Sequence, residues 1–171
     1  MRFLTDRHGR LSFFRLSIVL GAVGLLLIAA GYTAFLFDQA SRRQPLMLDL
    51  PDAAQPWGEP AVLSQSRQQL FFLVPGADAD VVAAFYDQQM RAFYNSDPGD
   101  VSSLVSCERF PSSGAFADYD PQVNAPYFWK CVFDRSNFNA LQYTEVTIQP
   151  GVPQTGSQDA TVIRYDQRWQ P

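Results

Sequence analysis

The sequence predicts an α+β protein with one N-terminal transmembrane helix, a proline-rich connector, and an antiparallel sheet of about five strands with one helix on a face. Three observations predict this class. Residues 16–37 form an uncharged apolar run, long enough as a helix to cross the roughly 30 Å hydrocarbon core. Residues 38–65 are interrupted by four prolines, and residues 66–171 show apolar patterns in the order β-α-β-β-β-β.

The charges around the apolar run predict its orientation. The tail 1–15 carries four arginines against the single acid Asp6. Because the more basic flank stays in the cytoplasm, we expect the N-terminus inside and the remainder outside the cytoplasmic (inner) membrane. The alternative is a cleaved signal peptide, with Ala29, Ala30 and Gly31 as small residues at the cleavage site. The apolar run continues to Phe37, beyond the usual length of such a core, and this favours a retained anchor.

Small residues recur along one side of the predicted helix. Ser17, Gly24 and Gly31 are seven residues apart, and Gly21 lies on the same side. Helices in lipid associate through close backbone approach over such residues, so this stripe predicts packing against a partner helix.

The connector 38–65 has two interpretations. Proline-rich chain is extended and semi-rigid, which suits a spacer between membrane and domain. Alternatively, the segment lies along a partner protein, anchored by the exposed apolar side chains that a free linker would not need. The candidate anchors are Leu46, Leu48, Leu50 and Trp57.

Periodicity defines the elements of the domain 66–171. Asp78 or Asp80 can cap a helix that runs to about Phe93, with an apolar face at Val82, Tyr86 and Met90. Turn residues at 95–100 follow this helix. Strands are expected at 69–74, 103–110, 127–133, 141–148 and 160–169, the last with Arg164, Asp166 and Arg168 on a wet face.

Two cysteines, Cys107 and Cys131, fall in consecutive predicted strands. If those strands pair in an oxidising compartment, the two residues can form a structural disulfide. Two buried free thiols and a redox-active pair are the alternatives. The spacing does not resemble the CxxC motif of catalytic pairs at a helix start.

The composition excludes several kinds of site. The only histidine, His8, precedes the apolar run, and the chain has two cysteines in total. A histidine-based triad, a haem attachment site, a four-cysteine zinc site and an iron–sulfur cluster therefore cannot be built from this chain alone, and we expect no cofactor. Residues 38–171 hold nine of the thirteen basic and sixteen of the seventeen acidic residues, a net charge of −7 that does not suit nucleic acid.

Two weaker patterns remain. Asp118, Asp120 and Asn124 resemble a calcium loop but lack the glycine and terminal glutamate of an EF-hand, and an Asx-rich turn explains them equally. Aromatic residues cluster around the loop 111–126 and either fill the core or line an apolar groove. They are Phe116, Tyr119, Tyr127, Phe128 and Trp129.

Residues 80–90 read V-V-A-A-F-Y-D-Q-Q-M after Asp80. This stretch resembles the V-x-x-F-Y-x-x-x-M helix of small exported bacterial α+β domains, in which an antiparallel meander follows. The whole layout is similar to that of single-pass accessory subunits of bacterial respiratory and photosynthetic complexes, such as alternative complex III. This similarity implies integral membrane partners and a role in electron transport.

These observations lead to three functional hypotheses. The first is a non-catalytic accessory subunit that contacts membrane subunits and the bilayer through its helix and connector, with its domain on their periplasmic face. The second is a membrane-anchored binding module for an apolar ligand or peptide, which requires a pocket beside the loop 111–126. The third is an enzyme using two carboxylates, which requires two acids facing each other in a cleft.

Overall fold

The computed structural model describes residues 13–94, 105–138 and 140–170. The chain divides into two compact units, Met1–Ser41 and Arg42–Pro171. Most of the basic tail, the turn expected at 95–100 and the start of the strand expected at 103–110 lie outside the described residues.

The first unit contains helix α1, Phe13–Ser41. It is apolar on all sides, as expected for a helix surrounded by lipid. Two hydroxyl side chains towards the ends of the apolar run bond back to the helix backbone: Ser17 Oγ donates to Phe13 O at 2.9 Å and Thr33 Oγ1 to Ala30 O at 2.9 Å. The helix is long and apolar enough to cross a membrane, a property that a signal sequence near an N-terminus shares.

The second unit is a seven-stranded antiparallel sheet with one helix, which confirms the predicted α+β class. The strands run in the order β1-β3-β7-β6-β5-β4, and β2 also pairs with β3. The last strand in the chain is therefore central, between the first long strand and β6. The strands are β1 Gln55–Pro56, β2 Ala61–Ser64, β3 Arg67–Pro75, β4 Glu108–Phe110, β5 Phe128–Asp134, β6 Gln142–Pro150 and β7 Ala160–Trp169.

Helix α2, Ala79–Phe93, packs on one face of the sheet, against β5, β6 and β7. Asp78 is its N-cap, and its carboxylate accepts a hydrogen bond from Asp80 N at 2.8 Å. The predicted apolar face is buried, and Tyr86 is fully enclosed beneath the helix. Its hydroxyl lies 2.6 Å from that of Tyr165, and burial raises the pKa of both phenols, so the pair stays neutral and packs as core.

The proline-rich segment is not a separate connector, which corrects the predicted boundary at residue 66. The unit that contains the sheet begins at Arg42, and Leu46, Leu48 and Ala54 pack against its core. We call residues 44–54 the strap. Strands β1 and β2 follow it and pair with β3, which explains why the sheet has more than the expected five strands.

Along the strap, hydrogen bonds from side-chain amides take the place of the backbone hydrogen bonds that a neighbouring strand would make. Gln142 Nε2 donates to Gln44 O at 2.9 Å, and Gln167 Nε2 donates to Leu46 O at 2.6 Å. Both glutamines are buried, and Gln167 also accepts from Gln68 Nε2 at 2.8 Å. Such bonds give the carbonyls of the strap buried partners without requiring an adjacent strand.

The two faces of the sheet differ. The strap and α2 cover one face, where the odd-numbered side chains of β7 are buried. Within the described residues, no helix packs on the other face, which we call the open face. It carries the side chains of Arg67, Gln69, Phe71, Lys130, Tyr143, Glu145, Thr147, Val162, Arg164, Asp166 and Arg168.

Candidate functional site

Four features carry the residues that the sequence singles out: the small-residue stripe of α1, the disulfide, the open face, and the cavities beside the loop 111–126. In α1, no atom beyond the neighbouring helix backbone lies within 4 Å of a Cβ built on Gly21, Gly24 or Gly31. The stripe that they form with Ser17 therefore leaves room for close approach. Its packing against a partner helix stays a prediction.

The cysteines form the predicted disulfide. Cys107 and Cys131 stand opposite each other next to the β4–β5 pairing, with their Cα atoms 4.4 Å apart. Both are buried under α2, and Met90 Sδ lies 3.6 Å from Cys107 Sγ. Asp87 Oδ1 accepts a hydrogen bond from Cys107 N at 3.0 Å, which links the residue before β4 to helix α2. The bond thus joins adjacent strands in the core, the setting of a structural disulfide.

The four candidate partner anchors have different environments. Leu46 and Leu48 are partly buried against the core of their own domain, whereas the partner interpretation of the connector required exposed anchors. Leu50 is more than one-third exposed. Trp57 is half-buried at the open face, with its backbone N–H donating to Phe71 O at 2.8 Å.

Asp166 is the centre of an ion-pair network on the open face. Its side chain accepts hydrogen bonds from Arg67 Nε at 3.1 Å, Gln69 Nε2 at 3.1 Å and Arg168 Nε at 3.3 Å. Burial raises the pKa of this carboxyl, but these hydrogen bonds outweigh it and lower the pKa to about 2. Asp166 was expected on a wet face; instead the surrounding side chains leave it 8% exposed.

Glu145 stands opposite Asp166 in the β6–β7 register. Lys130 Nζ lies 3.0 Å from Glu145 Oε2, which also accepts from Tyr143 Oη at 3.1 Å. Burial, followed by this bond, raises the pKa of Tyr143 to about 12. The two facing acids of the open face are thus both engaged by cations, and Asp166 stays ionised at neutral pH, which removes it as a proton donor.

A second pair of acids lines a cavity of about 340 Å³ beside the disulfide. Asp80 accepts from Trp129 Nε1 at 2.8 Å, and Asp87 accepts from Arg91 Nη2 at 2.6 Å in addition to Cys107 N. Tyr127, next to Asp80, has its pKa raised to about 12 by burial and by a hydrogen bond to that carboxylate. Both carboxylates thus accept hydrogen bonds from neighbouring groups of the fold.

The loop 111–126 is held in place by defined contacts. Arg109 donates to Pro111 O at 2.6 Å and Gly114 O at 2.9 Å, and its guanidinium lies 4.0 Å above the Tyr127 ring. Phe128 stacks on Phe116 with ring centroids 5.8 Å apart. These contacts pack the loop against the start of β5.

The calcium-like residues form an Asx-type turn. Asn124 donates to Asp118 O at 3.0 Å and accepts from Asp120 N at 2.7 Å, while Asp120 Oδ1 accepts from Gln122 N at 2.9 Å. Among the described residues, no group of three or more acidic, histidine or cysteine side chains is placed to hold a metal ion.

Two adjoining cavities lie at the end of the open face beside this loop. One, of about 160 Å³, has Trp57, Phe71, Val152 and Val162 as its apolar walls and Arg164 at its edge. The other, of about 430 Å³, has Phe116, Val123, Tyr127 and Phe128 among its lining residues. They share Gln149, Val152 and Thr155. Sequence reasoning missed the contribution of Phe71 and Val162, because both lie on the face of the sheet that was predicted to be solvent-exposed.

Comparisons with family models, with curated proteins and with solved structures each found no match.

Proposed function

We propose that the chain is a non-catalytic, single-pass accessory subunit of a larger bacterial membrane complex. Its helix α1 would cross the inner membrane with the N-terminus in the cytoplasm, and its domain would stabilise or dock on the periplasmic face of the complex. The layout similarity makes a respiratory or photosynthetic electron-transfer complex the first partner to examine.

The observation that carries this proposal is α1 itself. It has 29 residues, is exposed on all sides, and carries three glycines whose Cβ positions meet no neighbouring group. A helix of this kind gains little from hydrophobic burial between helices in lipid. Packing over small residues is a main source of specific association there.

The charges of the domain support docking over acid–base catalysis. On the open face, Asp166 and Glu145 are held by Arg67, Arg168 and Lys130. Such a fixed array of charge suits recognition of a complementary surface. A catalytic acid would instead need a pKa near the working pH, and that of Asp166 is displaced in the opposite direction.

The test is purification in mild detergent with mass spectrometry of the copurifying proteins. The full chain is compared with the double variant Gly24→Leu/Gly31→Leu. The matched control, Ala22→Leu/Ala29→Leu, enlarges small residues on the other side of α1. We expect the wild type and the control to bring down the same integral membrane proteins and the glycine variant to lose them. Recovery of wild type only as a free monomer would contradict the proposal.

A second function, an anchored binding module, is favoured by the adjoining cavities beside the loop 111–126. Apolar walls with few polar groups are typical of sites for small apolar ligands. The probe is 1-anilinonaphthalene-8-sulfonate, whose sulfonate suits Arg164. We expect Val162→Phe, which fills the smaller cavity, to weaken dye binding, and Val62→Phe on the exposed edge strand β2 to leave it unchanged. Equal dye binding by both variants would refute this second function.

A further inference from the structure

The strap begins at one end of the sheet, which we call the entry end. Gln44 O accepts from Gln142 Nε2 at 2.9 Å, and Gln170 N donates to Leu141 O at 2.8 Å. The start of β6, the chain beyond β7 and the first bonded residue of the strap therefore meet there. The turn between β5 and β6 also lies at this end, because it joins Asp134 to Gln142.

This turn presents an unusual side chain. Phe138 is 101% exposed, the highest value among the large apolar residues that the structure describes in the domain, and Leu141 is 46% exposed. Hairpin turns are commonly formed by small and polar residues. A phenylalanine without any apolar contact leaves its whole hydrophobic area in water, which folding of the domain alone does not explain.

The turn is braced by its own hydrogen bonds and does not need Phe138 for its formation. Asn137 N donates to Ala140 O at 2.8 Å, Ser136 N to Asp134 Oδ1 at 2.8 Å and Gln142 N to Ser136 Oγ at 3.1 Å. These bonds fix the base of the turn and present Phe138 outward from a rigid support.

Covalent continuity places the entry end near the bilayer surface if α1 crosses the membrane. Residues 38–41 continue α1 beyond the apolar run, about 6 Å of helix at 1.5 Å per residue. Arg42 and Arg43 alone separate Ser41 from Gln44, which is three Cα–Cα steps or at most about 11 Å. These two lengths hold for any orientation of the two units.

We propose that Phe138 and Leu141 insert into the boundary between headgroups and acyl chains of the outer leaflet, so that the entry end of the domain rests on the bilayer. This inference depends on the membrane anchoring proposed for α1. The occupant is a lipid surface because the short tether keeps the turn near one, and because aromatic side chains favour this interfacial depth. Lipid contact would also give Phe138 the apolar environment that its own domain does not supply.

The test uses the full chain reconstituted in vesicles of phosphatidylethanolamine and phosphatidylglycerol at about 3:1, a mixture with the anionic surface typical of such membranes. A cysteine is introduced as Phe138→Cys and labelled with the environment-sensitive dye NBD. The matched control is Val81→Cys, because Val81 is 68% exposed in the first turn of α2, which follows the end of β3 that pairs with the start of β7, at the opposite end of the sheet. Mass spectrometry verifies that the Cys107–Cys131 bond is intact in both variants.

We expect NBD at position 138 to emit at shorter wavelength than NBD at position 81 and to be quenched more strongly by lipids brominated near the headgroup. Equal emission and quenching at the two positions would overturn the inference. So would protection of position 138 in native membranes but not in vesicles, since a protein partner would then cover it. Flotation after an alkaline carbonate wash tests the anchor separately. A chain that floats with position 138 in water refutes only the lipid contact, whereas a chain released by the wash refutes both proposals.

Discussion

Replacing Gln167 by methionine tests whether the strap is an integral part of the fold. The side chain is 1% exposed, donates to Leu46 O at 2.6 Å and accepts from Gln68 Nε2 at 2.8 Å. Methionine keeps the volume but removes both bonds. Each is worth about 1 kcal/mol net, and the loss of a partner for the strap carbonyl adds about 1 kcal/mol. We therefore expect the free energy of unfolding to fall by about 2–3 kcal/mol.

The assay is thermal unfolding of the full chain in mild detergent, followed by near-ultraviolet circular dichroism. For a domain of this size, the expected loss lowers the midpoint by roughly 10 °C. The matched control is Gln89→Met, since Gln89 Nε2 also donates to a strap carbonyl, Asp49 O at 3.0 Å, but at an exposed position. We expect the control to change the unfolding free energy by less than about 0.5 kcal/mol. Coincident midpoints for the two variants would refute the role given to the buried amide.

Three further outcomes follow from the same structure. Replacing Cys107 and Cys131 by alanine opens a loop with a sequence separation of 24 and should cost about 3.5 kcal/mol in the chain-entropy model, measurable by urea unfolding; an unchanged urea midpoint would contradict this. The folded-state pKa of Asp166 lies below its ordinary value of 3.8, so the stability that this carboxylate contributes is full above about pH 4 and is lost as the pH falls towards 2. In Asp166→Asn, the free energy of unfolding should therefore decrease between pH 4 and pH 2 by about 1 kcal/mol less than in the wild type. Identical curves of unfolding free energy against pH for the two proteins would argue against this. Replacing Trp129 by phenylalanine removes the 2.8 Å bond to Asp80 and should lower the free energy of urea unfolding by about 1 kcal/mol; a urea midpoint equal to that of the wild type would refute the contribution of this bond.

Local periodicity predicted most of the sheet and its helix. The strand expected at 160–169 coincides with β7, and the helix expected from Asp78 to Phe93 matches α2 with Asp78 as its N-cap. The cysteines were paired correctly because both fall in consecutive predicted strands, which pair in the structure. These features depend on side chains close together in sequence or on two residues of a rare type.

The strap could not be predicted in this way. Its carbonyls bond to Gln142 and Gln167, which are 98 and 121 residues away in the chain, and a single sequence carries no signal for such distant pairs. One local sign existed, because alternation puts Gln167 on the same side of β7 as Ile163 and Tyr165. A glutamine on a buried face implies a polar partner opposite it.

The cavities at the end of the open face were anticipated only in part. The aromatic cluster left a filled core and an apolar groove beside the loop 111–126 as alternatives, and a cavity of about 430 Å³ lies there. The smaller cavity also uses Trp57, which hydrogen-bonds to Phe71 across the β1–β3 edge. From the sequence, Trp57 was expected in a connector outside the domain. Its contribution to the cavity depends on the pairing of β1 with β3, which local periodicity did not predict.

The central position of β7 in the sheet constrains the order in which the domain can fold during synthesis. The strap follows α1 in the chain and bonds to β7, the strand of this sheet that is synthesised last. The main partner of β3 is also β7, about 100 residues later in the chain. If the domain is exported as proposed, the strap and the β7-facing edge of β3 therefore remain unpaired until the final strand has crossed the membrane. A ribosome stall or a truncation before residue 160 would leave β3 and β6 each without its β7 neighbour, a species with two exposed strand edges that is prone to proteolysis or aggregation.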